Sequence, residues 1–252
     1  MLGIIAAQGI LPIMVADNNR NGHSIVACIN GLARKSDYKS HIAEEFQIGK
    51  VSAIINFFKT HKVKKIVICG AIKRPSFSGI PVDAKGAILL AKILAAKFLG
   101  DDQLLRVVAK YIEGQGFEIV SPIDYTNQMP IKTKRVPSKR EKDDIEIGLN
   151  AAHKLGELDI GQAVIVDKGL VIGVEAVEGT DALIKRCKTG ILVKCMKPNQ
   201  DPRLDTPVIG VETVRAVHAA GMVGIAVEGV IVLDPRAVVE EADKLGVWVV
   251  EV

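Results

Sequence analysis

Short apolar runs alternate with segments of helical periodicity through the first half of the chain. Apolar runs bounded by turn residues predict strands, and longer segments with apolar positions three or four apart predict helices. The predicted strands are residues 2–6, 24–29, 64–69 and 117–120, and the predicted helices are residues 11–18, 52–61, 87–98 and 103–113. Strands that alternate with helices favour a mostly parallel sheet with flanking helices. We therefore predict an α/β fold that begins with a Rossmann-like domain.

Residues 87–98, with the sequence AILLAKILAAKF, are apolar on nearly every side of the predicted helix. A helix of that kind is usually buried in a protein core. The alternative is that it lines a pocket for an acyl chain.

A polar segment without apolar periodicity, residues 124–144, separates the two halves of the chain. Its prolines and charged residues are typical of a boundary. We assign residues 1–128 to an N-terminal domain, 129–144 to a linker and 145–252 to a C-terminal α/β domain.

The second half predicts a mixed sheet. Two apolar runs, residues 163–166 and 170–175, are joined by Asp167, Lys168 and Gly169, which is a hairpin signal. Further strands are predicted at residues 191–194, 224–227, 230–233 and 247–250, and helices at 145–155, 182–186, 212–220 and 235–245. A hairpin followed by alternating strands and helices gives both antiparallel and parallel pairs.

Composition excludes several classes of protein. Aromatic residues make up 4% of the chain and the net charge is +4, so no nucleic-acid partner is predicted. The four cysteines show no CxxC spacing, so neither a zinc site nor a disulfide framework is predicted and a reducing compartment is the default. The N-terminus lacks the basic segment of a signal peptide, and no uncharged run reaches about 20 residues. These features predict a cytoplasmic protein.

Residues 194–210 hold the densest candidate chemistry in the chain. Lys194, Lys197, Asp201, Arg203 and Asp205 lie in a segment that three prolines stiffen. Carboxylates hold hard cations such as Mg²⁺, and lysine and arginine neutralise phosphoryl oxygens. The segment therefore fits a phosphate and metal site, and the alternative is a surface loop with solvated charges.

Other candidates lie at turns. Gly9 follows the first strand in a turn that can face an anion, and Lys73 and Arg74 follow a buried strand where α/β sheets bind ligands. Asp101 and Asp102 open a helix and suit its dipole. The alternatives are a turn that binds nothing at Gly9, two solvated charges in a loop at Lys73 and Arg74, and a helix cap at Asp101 and Asp102.

Two signals near position 180 and position 195 concern individual side chains. Thr180 or Asp181 can cap the following helix or present groups to a phosphate. Cys195 follows Lys194, which favours a lowered thiol pKa, but no partner for a nucleophilic thiol is evident. The histidines, scattered away from the candidate loops, are predicted to be surface or capping residues: His23, His41, His61, His153 and His218.

Several long stretches resemble one family. They are residues 70–75 (GAIKRP), 100–106 (GDDQLLR), 158–164 (LDIGQAV), 173–182 (GVEAVEGTDA) and 193–210, which contains KPNQDPRLDTPVIG. In order and in sequence they resemble the UDP-2,3-diacylglucosamine pyrophosphatases of lipid A biosynthesis, a two-domain family first catalogued as a domain of unknown function. The match spans nearly the whole chain.

The resemblance implies hydrolysis of UDP-2,3-diacylglucosamine to UMP and 2,3-diacylglucosamine 1-phosphate in a cleft between the two domains. It implies Mg²⁺ or another divalent cation and makes an aspartate of the QDxRxD motif essential, with Asp205 preferred to Asp201 as catalytic residue and metal ligand. The substrate-binding residues that it implies are Gly9, Lys73, Arg74, Asp101, Asp102, Gln162, Glu178, Thr180, Asp181, Lys194, Lys197 and Arg203.

The partners follow from the same resemblance. The lipid-linked UDP-sugar substrate implies transient contact with the cytoplasmic face of the inner membrane. Whether the protein forms a homodimer is left undecided by the sequence. The alternative function is a nucleotide- or phospholipid-binding regulator that keeps the cleft without turnover.

Overall fold

The computed structural model describes residues 1–72, 79–95 and 101–252, with the side chain of residue 101 left out. The chain divides into two compact units, and neither unit is one continuous stretch of the sequence. Unit 1 contains Met1–Thr126 together with Asp201–Asp205, and unit 2 contains Asn127–Gln200 and Thr206–Val252. The chain therefore passes between the units at three places.

Unit 1 is built on a five-stranded parallel sheet. Its strands are β1 (Leu2–Ala6), β2 (Ile25–Ile29), β3 (Ile42–Phe46), β4 (Lys65–Cys69) and β5 (Glu118–Ile119). The strand order is β3-β2-β1-β4-β5, and every neighbouring pair is parallel. This order reverses between β1 and β4, as in Rossmann folds. The prediction of a Rossmann-like, mostly parallel sheet is confirmed.

Most helices of unit 1 pack against this sheet, and the third along the chain packs mainly on the second and the fourth. They are α1 (Leu11–Asp17), α2 (Val51–Thr60), α3 (Ala84–Ala95) and α4 (Asp101–Glu113), and two short 3₁₀ turns lie at Lys35–Asp37 and Pro122–Tyr125. Phe58 of α2 and Ile112 of α4 are buried in one core cluster with strand residues.

The prediction that the apolar helix is buried is wrong for its described part. In α3 only Gly86 and Leu89 are buried, whereas Ile88 is 53% exposed and Leu94 is 43% exposed. The sequence contains apolar residues on nearly all sides, but the packing covers only one side of the helix.

The loops that follow β1 and β4 are joined at the point where the strand order reverses. Gln8 and Ala71 form an isolated antiparallel bridge, with N···O distances of 3.1 Å and 2.7 Å. Gly70 has a φ of +100°, and a Cβ there would lie 2.7 Å from the carbonyl carbon of Ala7. Glycine is therefore required for this close approach.

A short segment from the second half of the chain completes unit 1. Leu204 is buried in the core cluster that contains Phe58 and Ile112. The Ser121 hydroxyl donates to the Pro202 carbonyl oxygen at 2.9 Å. Burial of the Leu204 side chain explains why Asp201–Asp205 belongs to unit 1.

Unit 2 has a mixed five-stranded sheet and a separate pair of strands. The sheet contains β6 (Ala163–Asp167), β7 (Leu170–Val174), β8 (Ile191–Cys195), β10 (Gly224–Glu228) and β12 (Trp248–Glu251), and the separate parallel pair is β9 (Val208–Ile209) with β11 (Ile231–Val232). The order is β12-β10-β8-β6-β7, with β6 antiparallel to both its neighbours. The predicted hairpin and the mixed sheet are confirmed.

Four helices accompany the sheet of unit 2: α5 (Lys139–Glu157), α6 (Thr180–Cys187), α7 (Val211–Ala219) and α8 (Pro235–Leu245). Helix α5 begins earlier than the predicted residue 145 because Ser138 and Glu141 form a capping box. Among the described residues, no helix has the length and apolar character needed to cross a membrane.

Candidate functional site

Arg203 connects two carboxylates in unit 1. Its Nε and Nη2 donate to the two oxygens of Asp201 at 3.0 Å and 2.7 Å, and its Nη1 donates to Glu113 Oε1 at 2.9 Å. The backbone N–H of Arg203 also donates to Asp201 Oδ1 at 3.0 Å. A planar guanidinium suits this two-point contact. Both oxygens of Asp201 are therefore engaged by Arg203.

The electrostatics of the pair follow from these bonds. Hydrogen bonds from Arg203 hold the pKa of Asp201 below its ordinary value, although burial of the carboxyl works in the opposite direction. The hydrogen bond to Asp201 likewise raises the pKa of Arg203, with Glu113 adding to the effect. Asp201 is thus a carboxylate whose charge is already compensated within the protein.

Asp102 stands beside this pair. Its carboxylate is buried and accepts from Arg106 Nε at 2.7 Å, one turn along α4, and its other oxygen lies 3.4 Å from the backbone nitrogen of Asp201. The hydrogen bond to Asp102 raises the pKa of Arg106. Asp101 is the first residue of α4, and its side chain lies outside the described residues.

Asp205 differs from Asp201 in its surroundings. It is half-buried and lies in the loop between the turn at residues 202–204 and β9, with buried Leu204 before it and buried Pro207 two residues after it. The burial of these two neighbours holds the backbone of Asp205 in place. Asp205 is the last residue of the segment that belongs to unit 1.

Lys194 and Thr180 lie together in unit 2. Lys194 is buried on β8, and its Nζ donates to Thr180 Oγ1 and to the Val208 carbonyl oxygen, both at 3.1 Å. The Thr180 hydroxyl donates in turn to Glu175 Oε1 at 2.6 Å. Gly179 occupies the N-cap of α6 without a side-chain hydrogen bond, so the expectation that Thr180 or Asp181 caps the helix is wrong.

Glu175 connects this network to Gln162. The backbone N–H of Gln162 donates to Glu175 Oε2 at 3.0 Å. Gln162 Oε1 is buried and has no hydrogen-bond partner in the part of the chain that the structure describes. Glu175 was not among the predicted site residues, and its only sequence signal was its place in the VEAVEGTDA stretch.

Three further predicted site residues of unit 2 are Lys197, Glu178 and Asp181. Lys197 Nζ lies 2.5 Å from Asp159 Oδ1. Glu178 is exposed and pairs with Arg186 at 3.4 Å; hydrogen bonding to its own backbone N–H and to Arg186 lowers its pKa. Asp181 is exposed in the first turn of α6, where a negative charge suits the helix dipole.

The predicted residues at the end of the first and fourth strands are only partly described. Gly9 has a φ of +113°, and a Cβ built there meets nothing within 4 Å. The Gln8–Ala71 bridge brings the turn that contains Gly9 beside the chain that leads to Lys73. Lys73 and Arg74 themselves lie outside the described residues.

The expected lowering of the Cys195 pKa is wrong. Burial and the charge of Glu228 raise it to about 11. Successive residues of a strand point to opposite faces, so Lys194 bonds to Thr180 on one side while Cys195 packs with Ala152 and Trp248 on the other.

Comparison with known families accounts for the whole chain. The model of the LpxI N-terminal domain matches residues 1–129, and that of the LpxI C-terminal domain matches residues 129–250. The chain belongs to the LpxI family. The prediction that the chain is a hydrolase enzyme is confirmed.

One curated member of the family aligns from end to end. The UDP-2,3-diacylglucosamine pyrophosphatase LpxI of Caulobacter vibrioides is 32% identical over an alignment 271 residues long. The alignment covers 100% of this chain and 97% of the relative. Among solved structures, a CobK precorrin-6A reductase aligns over 100% of this chain and 86% of its own length, with 10% identity and a TM-score of 0.32.

Proposed function

We propose that this chain hydrolyses the pyrophosphate bond of UDP-2,3-diacylglucosamine, a step of lipid A biosynthesis that releases UMP and 2,3-diacylglucosamine 1-phosphate. The observation that carries the proposal is the 32% identity to the Caulobacter pyrophosphatase across the full chain. In this reaction the oxygen of water bonds to the α-phosphorus. The bond from that phosphorus to the bridging oxygen breaks, and this oxygen leaves with the sugar phosphate.

Asp205 is the residue we propose to orient the attacking water and to accept its proton. A positioned carboxylate can do this when its backbone is held in place, and buried Leu204 and Pro207 hold the residues around Asp205. Asp201 has both oxygens on Arg203. We therefore propose that Asp201 supports the segment through Arg203, and that Asp205 is the essential aspartate of the pair.

The carboxylate of Asp205 also fits a hard divalent cation. Mg²⁺ is commonly held by one or two protein carboxylates together with phosphate oxygens of the substrate, so a full set of protein ligands is not required. Within the described part of the chain, no group of three ligating side chains includes Asp201 or Asp205. We propose Asp205 as the principal ligand of Mg²⁺. When bound, this ion neutralises charge on the phosphoryl oxygens.

The network in unit 2 supports a role in binding phosphate or sugar. Lys194 fixes Thr180 at the start of α6, and the first N–H groups of a helix favour an anion. Gln162 Oε1, which is buried and has no partner among the described residues, can accept a hydrogen bond from a sugar hydroxyl. Lys197, Glu178 and Asp181 stay predicted substrate-binding residues.

The exposed face of α3 supports a lipidic substrate. Ile88 and Leu94 present apolar side chains to solvent in unit 1, and contact with acyl chains would remove this surface from water. For such a substrate we also propose transient contact with the inner-membrane surface. Gly9, Lys73, Arg74, Asp101 and Asp102 stay predicted contacts of the substrate in unit 1.

The test is UMP release by purified protein with UDP-2,3-diacylglucosamine and Mg²⁺. We expect Asp205→Asn to lower the rate about 100-fold or more, since a positioned base contributes at least that much. Asp124→Asn is the matched control, because Asp124 is an exposed aspartate of the same unit and its loss should leave the rate unchanged.

Binding of the substrate, measured by calorimetry with Asp205→Asn, separates chemistry from affinity. Retained binding with lost turnover supports the role of Asp205. Turnover by Asp205→Asn at the wild-type rate contradicts that role, and binding without turnover by the wild-type protein under any divalent cation contradicts the proposed hydrolysis itself.

A further inference from the structure

Three residues that can ligate a metal converge on one side of the sheet in unit 2. Cys195 is the last residue of β8 and Glu228 is the last residue of β10, and the two are direct partners in the parallel register. His153 lies on α5, which packs against β8. His153 and Glu228 are 75 residues apart in the sequence. The sheet register and the packing of α5 bring them together.

The donor atoms of these residues are close to one another. One ligand atom from each residue lies within 4.8 Å of the others, and His153 Nε2 is 2.5 Å from Glu228 Oε2. Ligands of a tetrahedral Zn²⁺ ion at about 2.0–2.3 Å from the metal are roughly 3.3–3.8 Å apart. An ion would thus move His153 and Glu228 apart by about 1 Å and bring both of them closer to the thiol of Cys195.

The two partners of the close pair have room to make this adjustment. The side chain of His153 is 37% exposed and that of Glu228 is 39% exposed. Cys195 is fully buried and fixed by the strand. Two adjustable ligands beside one fixed ligand can close around an ion without movement of the sheet.

We propose that His153, Cys195 and Glu228 form a binding site for a divalent transition-metal ion of the Zn²⁺ class. An imidazole nitrogen, a thiolate and a carboxylate are the ligands that Zn²⁺ takes in proteins. Mg²⁺ prefers oxygen ligands alone, so this site differs in chemistry from the one proposed at Asp205. It is also independent of the proposed hydrolysis.

A cavity opens onto two of the three ligands, His153 and Glu228. It has a volume of about 420 Å³ and is lined by His153 and Glu228, and also by Glu157 and Met196. Glu157 lies one helical turn after His153, and residues four apart share one face of a helix. Glu157 is outside the group of ligand atoms that lie within 4.8 Å of one another, so a water molecule from the cavity supplies the fourth ligand of a tetrahedral site.

The test uses Co²⁺ in place of Zn²⁺, because a thiolate bound to Co²⁺ gives a charge-transfer absorption band and tetrahedral Co²⁺ gives visible bands. Full-length protein is stripped of metal with a chelator and titrated with Co²⁺. We expect one equivalent to bind with both sets of bands, and Zn²⁺ to abolish them by displacement. Absence of the thiolate band at saturating Co²⁺ would overturn the proposal.

Variants assign the ligands. Cys195→Ser should remove the thiolate band, and His153→Gln should weaken Co²⁺ binding at least about tenfold, since even the loss of an indirect partner of a metal commonly costs 10–100-fold. Cys187→Ser is the matched control, because Cys187 is a more accessible thiol of the same unit that lies outside the cluster. A thiolate band that survives Cys195→Ser and disappears in Cys187→Ser would refute the assignment.

Folding and activity are controlled separately. Circular dichroism checks that each variant is folded. If Cys195→Ser does not fold, the His153→Gln variant decides the test, because His153 is half-exposed and its replacement leaves the core intact. Unchanged Co²⁺ affinity in folded His153→Gln overturns the proposal. Asp205→Asn should bind Co²⁺ with the same bands as the wild type, so failure of the proposed hydrolysis leaves this result unaffected.

Discussion

Removal of the Arg203 guanidinium, in an Arg203→Met variant, should destabilise unit 1. Methionine keeps much of the side-chain length and removes the three hydrogen bonds to Asp201 and Glu113. Asp201 keeps only the backbone N–H of residue 203 from this set. A largely buried carboxylate then loses the guanidinium bonded to it, and the charge of Arg106 stays as a weaker compensation.

The size of the effect depends on how much water reaches the pair. Hydrogen bonds to charged groups contribute about 1.5–3 kcal/mol, whereas an exposed ion pair contributes at most about 1 kcal/mol. The side chain of Asp201 is 10% exposed, but that of Arg203 is 41% exposed, so solvent screens the guanidinium. We therefore expect a loss of about 2 kcal/mol in the free energy of unfolding, between these limits.

The loss should depend on pH in a defined direction. The pKa of Asp201 is lowered in the folded protein from its ordinary value of 3.8, so the pair stabilises the fold above that value and ceases to do so as the pH falls through the folded pKa. The difference between wild type and Arg203→Met should be constant from about pH 7 to pH 5 and should shrink below about pH 4.

Hydrogen exchange of the β1 and β4 amides is the appropriate assay. The single tryptophan, Trp248, lies in unit 2 and does not report on unit 1. Arg34→Met is the control, because its ion pair with Asp37 is 3.5 Å long and Arg34 is 80% exposed. Equal stability of Arg203→Met and wild type at pH 7, within about 0.5 kcal/mol, would refute the reasoning.

Two further predictions concern packing and helix capping. Gly224→Ala should destabilise unit 2 by about 2 kcal/mol or more, because a Cβ there would overlap the buried indole of Trp248; urea unfolding followed by tryptophan fluorescence measures this, and wild-type stability would contradict it. In unit 1, hydrogen bonds from Gly86, Ser52 and Ala53 lower the pKa of Asp83 against the opposing effect of burial. The wild-type protein should therefore protect the α2 amides from exchange better than Asp83→Asn does at neutral pH, and this difference should vanish as the pH falls through that lowered pKa. A difference that does not depend on pH would contradict the assignment.

Local signals in the sequence were sufficient for much of the fold. The hairpin of β6 and β7 was predicted from one glycine turn, and Lys168 and Gly169 both have the positive φ that such a turn requires. Helix α8 starts at Pro235 and is followed by Gly246 in the left-handed conformation, in agreement with prediction. These features depend on residues that are neighbours in the chain.

Other elements could not be found from local patterns. Strand β3 was missed because its sequence, IAEEF, contains two adjacent glutamates and no alternation of apolar and polar positions. It forms because β2 offers a parallel edge. The exposure of Ile88 on α3 was missed because it also depends on neighbouring elements. The sequence of a helix does not show which of its sides other elements cover.

The sequence by itself determined which chemistry is present, and the tertiary structure decided which residues act together. Lys194, Lys197 and Asp205 stand close in the chain, but burial of Leu204 assigns Asp205 to unit 1 while both lysines belong to unit 2. The alternation of side chains along β8 directs Lys194 to the face where it bonds to Thr180, and the sheet register places Cys195 beside Glu228. Such pairings depend on packing between distant segments, for which adjacency in sequence carries no signal.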